Sequence, residues 1–251
     1  MPAEGGRHGV IEPAINRLPV ANAKRGYRYV RWAKRFLQFA SLDEAAAYCR
    51  SYTYYDRLDF TRLLSPDLLP IVDRLLEEHA TIYNRAPVDC HVNRMCFTDL
   101  KLFLPGLNLT YSDRASMAAS TEMRVPLVDV KVMNAAFRAR GNEKIRGQQG
   151  KMILKRAAEA WLPKEIIYRP KAAFGAPLRA WMRWDLAGLV NDILLSSDTA
   201  LSGIVEPSVI AQIVKEDRAG VQDHAQRIWN LLTLEFWFRC QPSISKELTP
   251  A

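Results

Sequence analysis

Between Ser112 and Pro126 the chain reads S-D-R-A-S-M-A-A-S-T-E-M-R-V-P, and Leu127-Val128-Asp129 follows. Asp113, Glu122 and Asp129 are carboxylates, and Arg114 and Arg124 are guanidiniums; such groups can serve acid–base work or hold an anionic substrate. Read on residue types alone, the same stretch has a plain structural account. Asp113-Arg114 suits a helix start, where a carboxylate meets the positive end of the dipole. Ser116, Met117, Ala118, Ala119 and Ser120 make a small-residue face, and Glu122 beside Arg124 can form an ion pair that holds the turn before Pro126. The second stretch is R-P-K-A-A-F-G-A-P, Arg169 to Pro177. Cys49, Cys90, Cys96 and Cys240 lack C-x-x-C spacing and the histidines number four, so no zinc signature and no metal site is expected.

The elements that must position these residues read as helices almost throughout. Residues 1–23, with Pro2, Pro13 and Pro19, form an irregular lead-in; 24–240 is a helical body; 241–251 is a polar, frayed tail. Helices are expected from 24 to 40, from a Ser41/Glu44 capping box to 54, from Ser65-Pro66 to Tyr83, and from Pro87 to Phe103. Leu104-Pro105-Gly106 is expected to stop the last of these, and Ser112 to cap a new helix that ends before Pro126. Further helices are expected over Val128–Ala139, Lys151–Trp161, Leu178–Leu195, Pro207–Ala219 and Asp223–Arg239. No alternating or β-branched run argues for a sheet, so the chain reads as all-α.

Composition bounds the function classes. The 251 residues are 49% hydrophobic and 25% charged, ordinary for a globular protein. No apolar run approaches a membrane span and no signal-peptide core is visible, so a cytoplasmic location is expected. Net charge is +8, and eight Lys or Arg against two Glu within residues 1–40 account for most of it. In K-R-G-Y-R-Y-V-R-W-A-K-R-F the apolar residues recur at helical spacing, which assigns the charge to a solvated or partner-facing helix surface. A nucleic-acid partner is not expected.

The two stretches together resemble the synthetase half of glutamine-hydrolysing asparagine synthetases. The family segment D-R-x-S-M-x-x-x-x-E-x-R-x-P-x-x-D is matched at Asp113, Arg114, Ser116, Met117, Glu122, Arg124, Pro126 and Asp129, eight fixed positions over seventeen residues. G-K-M-I-L-K-R-A at Gly150–Ala157 is similar to the following helix, and Arg169–Trp181 to the family's R-x-K-x-x-F loop. The likeness extends from about Asp99 to Trp181.

That resemblance implies an ATP-dependent carbon–nitrogen ligase of asparagine biosynthesis. A carboxylate attacks the α-phosphorus of ATP, Mg²⁺-pyrophosphate leaves, and an amine displaces AMP from the acyl-adenylate. It implies Lys171 as the loop lysine over the reacting phosphate, stabilising charge without proton transfer. Phe174 and Gly175 would shape that loop, Arg169 would brace it or meet phosphate, and Lys151 of the G-K pair would lie towards pyrophosphate. Glu122 would be either near-catalytic, orienting the incoming amine, or an ion-pair partner of Arg124 or Arg114. Asp113 and Asp129 read as structural.

The same comparison marks what is missing. No S-G-G-x-D-S pyrophosphate loop, no acidic D-E-L-F-G-G-Y segment and no N-terminal cysteine of an amidotransferase occurs in the sequence. The expectation is therefore the helical C-terminal portion of an adenine-nucleotide α-hydrolase-like (PP-loop) α/β synthetase domain, lacking most or all of the parallel sheet. It would be a fragment or split chain, inactive alone, using ATP and Mg²⁺ only in the complete enzyme. Its partner would be the N-terminal synthetase and glutaminase portion, in the same or a separate chain, with aspartate and ammonia or glutamine as substrates. The alternatives are a related amide-forming synthetase of β-lactam or lasso-peptide cyclase type, and a non-catalytic helical subunit that docks on a partner. Exposed apolar surface is expected where the nucleotide-binding half would pack.

Overall fold

The basic stretch after Tyr27 forms α1, Arg28–Leu37, in a computed structural model that describes residues 15, 17–20, 27–39, 42–88, 90–170 and 176–241. The lead-in and the tail lie almost wholly outside the described residues. Helix α2, Glu44–Tyr52, is capped by Asp43, whose side chain accepts from the Ala46 N–H at 2.9 Å. The expected cap, Ser41, lies outside the described residues, and Asp43 already satisfies the open donor. Helix α3, Arg57–Leu63, was not foreseen; Asp56 and Asp59 form a reciprocal capping box at its start. A 3₁₀ turn with Pro66 at its first position leads into α4, Leu69–Asn84, and Pro70 falls in the first turn, where no N–H is needed.

Two compact units divide the chain: Met1–Glu77 with Gly175–Ala251, and Glu78–Phe174. The boundary falls inside α4. The second unit continues with α5, His91–Thr98, and here the structure corrects the expected stop at Leu104-Pro105-Gly106. A π-helical segment, Asp99–Leu109, carries the chain through Pro105 into α6, Thr110–Met117. Wider π turns give the pyrrolidine ring room, and the Thr110 hydroxyl donates to the Pro105 carbonyl at 2.7 Å. Ser112 is therefore inside a helix rather than at a cap, and Asp113 does not sit at a helix N-terminus.

Helix α6 ends at Met117, well before Pro126. The Thr121 N–H bonds the Ser116 carbonyl at 3.0 Å and the Ser120 N–H the Met117 carbonyl at 2.9 Å, the paired bonds of a Schellman stop. Such a stop needs a left-handed residue, and Ser120 takes it with φ 52°. A 3₁₀ turn over Pro126–Val128 then gives way to α7, Val130–Arg138, capped by Asp129 through the Lys131 N–H at 2.8 Å. Helix α8, Gly141–Lys144, precedes a two-residue antiparallel ladder, β1 Ile145–Arg146 and β2 Gln149–Gly150, closed by a turn with Gly147 at φ 59°. Helices α9, Met152–Ala158, and α10, Lys164–Ile167, complete the unit.

After the break at 171–175 the first unit resumes with α11, Leu178–Ala180, a π turn over Trp181–Asp185, α12, Ala187–Leu194, α13, Pro207–Arg218, and α14, Ala225–Cys240. Its core is built from Leu63, Val190, Leu201, Ile210, Ile228 and Leu232 with their neighbours, all nearly sealed from solvent. On α14 the residues Ala225, Ile228, Leu231, Leu232, Glu235 and Phe238 share the buried face. Glu235 is wholly enclosed there because it accepts from Thr199 Oγ1 at 2.6 Å, from the Ala200 and Leu201 N–H groups at 3.0 and 3.1 Å, and from Arg239 Nε at 2.7 Å. Among the described residues the regular structure is thus helical apart from one two-residue ladder and a single bridge between Leu64 and Val205, as the all-α reading requires.

Candidate functional site

The DRxSM-type stretch is displayed on the second unit with little cover. Asp113, Arg114, Ser116 and Met117 lie on α6, of which only Ser116 is half-buried, donating to the Asp113 carbonyl at 3.1 Å. Glu122 and Arg124 follow on the extended strip between Ser120 and Pro126. They form an ion pair of 3.0 Å with both side chains more than two-thirds exposed, a contact worth about 0–1 kcal/mol. Of the two arginines that could pair with Glu122, the structure selects Arg124.

Of the candidate cations, Arg114, Lys151 and Arg169 are exposed and make no ion pair among the described residues, which is also true of most other cations of the unit. Lys151 precedes α9 with φ 60°, a left-handed backbone that a β-carbon disfavours. Ser120 and Lys151 are the non-glycine residues with positive φ among those described. Backbone strain of this kind gathers at functional segments. Lys171, Phe174 and Gly175 lie outside the described residues.

The surroundings are apolar. Met117, Met123, Val125, Leu127 and Val130, on and just after the motif, are all exposed, Leu127 at 62% and Val130 at 64%. Trp161 on the same unit is 78% exposed. The arrangement can present cations to an anion and a carboxylate to an amine, within a surface that an apolar partner would exclude from water.

Sequence reasoning passed over a second concentration of charge, in the first unit. Arg50, Arg179 and Arg227 join the basic residues of α1 around one cavity of about 1090 Å³. Local signals were thin, because the contributors are spread over 200 residues of sequence.

Comparison with known proteins places the motif. The asparagine synthase family profile matches residues 11–239. A Mycobacterium tuberculosis (strain H37Rv) protein provisionally named as a glutamine-hydrolysing asparagine synthetase is 34% identical over 148 residues, 58% of this chain and 22% of its own length. Glutamine-hydrolysing asparagine synthetase 1 of Bacillus subtilis (strain 168) is 27% identical over 146 residues, covering 58% and 23%. Asparagine synthetase 3 of the same organism is 22% identical over 174 residues, covering 66% and 28%. The chain therefore spans about a quarter of the length of these relatives, and no solved structure matches it. With a profile covering most of its length and a helical build that fits the C-terminal portion of a PP-loop synthetase domain, the chain belongs to the asparagine synthase family.

Proposed function

We propose that this chain supplies the helical side of an ATP-dependent, amide-forming active site of asparagine-synthetase type, in which an aspartate carboxylate is activated and then aminated. The observation that carries the reading is the contiguous D-R-x-S-M, E-x-R-x-P stretch, displayed on the surface of the second unit with its Glu122–Arg124 pair exposed. Lys171 holds the transferring phosphate and stabilises its developing charge electrostatically, and Arg169 and Lys151 meet the remaining phosphate oxygens. Glu122 orients the incoming amine, with Arg124 holding its carboxylate in place on the strip.

The donor set suits a phosphate-bearing substrate. Among the described residues no group of three or more His, Cys, Asp or Glu is placed to hold a metal ion. Mg²⁺ bound mainly by substrate phosphates needs only one or two carboxylates.

We assign the exposed apolar residues around the motif to the docking surface for the nucleotide-binding portion, in the same or a separate polypeptide. A patch of this kind is unusual on a free-standing surface. No helix among the described residues is long and apolar enough to cross a membrane.

The test is pyrophosphate release in the assembled enzyme, with this chain complemented by a family nucleotide-binding portion. Lys171→Ala should reduce release at least 100-fold, consistent with loss of a major electrostatic contact to the transition state, for which about 10²–10³ is typical. Release that survives Lys171→Ala, or aspartate-dependent release that never appears on complementation, would remove the reading.

A further inference from the structure

The first unit carries a built cationic cavity lined by its own residues alone. Seven Lys or Arg residues line it against four carboxylates, Asp56, Asp59, Glu216 and Asp223. The carboxylates are already engaged. Asp223 is shared by Arg179 at 2.5 Å and Arg31 at 3.5 Å, and Asp59 holds Arg227 in a two-pronged pair. Asp56 stands 3.8 Å from Arg50. Glu216 bonds His224 Nε2 at 2.8 Å; burial alone would raise its pKa, but the hydrogen bonds from His224 and Gln212 bring it below the ordinary carboxylate value.

Positive charge is left over and held in place. Arg35 and Arg50 both donate to the Thr53 carbonyl at 2.9 Å, and both reach Gln38 Oε1, at 3.3 and 3.1 Å. Two guanidiniums are thus fixed side by side on shared neutral acceptors, with Asp56, 3.8 Å from Arg50, offsetting part of their repulsion. Burial first, and Arg50 next, depress the Arg35 pKa. On the outer wall Arg28 makes no ion pair among the described residues and lies 5.3 and 5.0 Å from the ring centroids of Tyr29 and Trp32.

Four aromatic side chains, Trp32, Tyr54, Trp181 and Trp229, open onto the same space and each is more than a third exposed. A cavity of about 1090 Å³ accommodates one small organic molecule with room to spare. We infer that this cavity binds a small organic anion that carries a planar ring, of the mononucleotide class. The Arg35–Arg50 pair, Arg31 and, on the outer wall, Arg28 receive its negative group, and the Trp32 and Trp229 rings receive its ring. The inference concerns the first unit alone and does not depend on the catalytic reading.

Calorimetric titration of the full chain with AMP, adenosine and inorganic pyrophosphate tests it. AMP should bind, with adenosine and pyrophosphate each at least tenfold weaker. Arg28→Ala and Trp32→Ala, both at exposed positions that the fold does not need, should each weaken AMP binding about tenfold, while Lys171→Ala leaves it unchanged. Absence of AMP binding at millimolar concentration overturns the inference. So does binding that Lys171→Ala abolishes and Arg28→Ala spares, which would assign the nucleotide to the motif stretch. Pyrophosphate binding as tight as AMP removes the ring from the proposal. A single-stranded oligonucleotide bound far more tightly than AMP, with a much steeper salt dependence, makes the cavity part of a nucleic-acid surface and overturns the small-ligand assignment.

Discussion

The two units differ in how much apolar surface they seal: among the described residues the first buries nineteen hydrophobic residues while leaving seventeen large ones exposed. In the first, α12, α13 and α14 turn Val190, Ile210, Val214, Ile228 and Leu232 inwards, and the loops are tied down by buried acids on good donors. In the second, only Tyr83, Ala86, Ala139 and Met152 of the described hydrophobic residues are buried, while fifteen large ones are exposed. Helix formation in the second unit rests on caps, the Schellman stop and the continuous α5–π–α6 rod, not on a sealed core. The difference teaches that one unit is held by its own packing and the other mainly by local helix signals.

Glu235 gives the largest expected effect. Glu235→Ala removes the acceptor of two backbone N–H groups, a hydroxyl and a guanidinium inside the first unit, and should cost about 3 kcal/mol, since breaking a buried charged network is among the most destabilising changes. Chemical denaturation at neutral pH checks it. Burial tends to raise the Glu235 pKa, but its hydrogen bonds outweigh that and leave the value depressed. The contribution is therefore complete above the unfolded carboxylate pKa of about 4.3 and is lost as pH falls through the folded value. The gap between wild type and variant should narrow in acid. A gap that stays constant from pH 7 to pH 3 would mean that the carboxylate charge is not what matters.

Gly141→Ala probes the one tightly packed corner of the second unit. A β-carbon there would lie 2.5 Å from Cys90 Sγ and 3.2 Å from Val92 side-chain atoms. The corner is further tied by Asn93, which donates to the Ala139 and Phe137 carbonyls at 3.2 and 3.3 Å. Overpacking of this sort costs about 1–3 kcal/mol, and Cys90→Ala in the same chain should recover part of it. If Gly141→Ala changes neither stability nor local hydrogen exchange, the second unit has no tight packing at all and the contrast with the first is greater than drawn.

What the sequence revealed follows from where local signals decide the structure. Period-3.6 patterning and Pro-Gly punctuation located α7, α13 and α14 closely, because α13 and α14 each bury an apolar face and α7 starts at the Asp129 cap just after Pro126. The eight-position motif was legible for the same reason, being contiguous. Pro105 misled because its usual meaning assumes α geometry, and a π segment removes the conflict. Helix α3 was missed because its cap uses Asp59 where a Glu or Gln is the familiar partner. The Arg35–Arg50 arrangement was not legible at all, since residues from three regions of the chain meet there only after folding.

Ser120→Gly should act in the other direction and more weakly. The Schellman position holds φ 52°, which a serine adopts at a cost and glycine does not, so the substitution should stabilise by about 1 kcal/mol. Thermal unfolding checks the sign. If the variant is stabilised in the free chain but slower in pyrophosphate release once assembled, the strain at the end of α6 serves the site.

The smallest expected change in stability is the one that bears most on the comparison. Leu127→Ser and Val130→Ser remove apolar groups that are 62% and 64% exposed, so little burial is lost and unfolding free energy should move by less than about 0.5 kcal/mol. Binding of a hydrophobic dye should fall, because the patch itself is smaller. Assembly with the nucleotide-binding portion should weaken in the same variants, since exposed surface that contributes nothing to folding contributes instead to docking. A loss of 2 kcal/mol or more in the free chain would show that Leu127 and Val130 are buried by the chain itself, by a closed second unit or a self-association. The openness of that unit would then no longer separate it from the first.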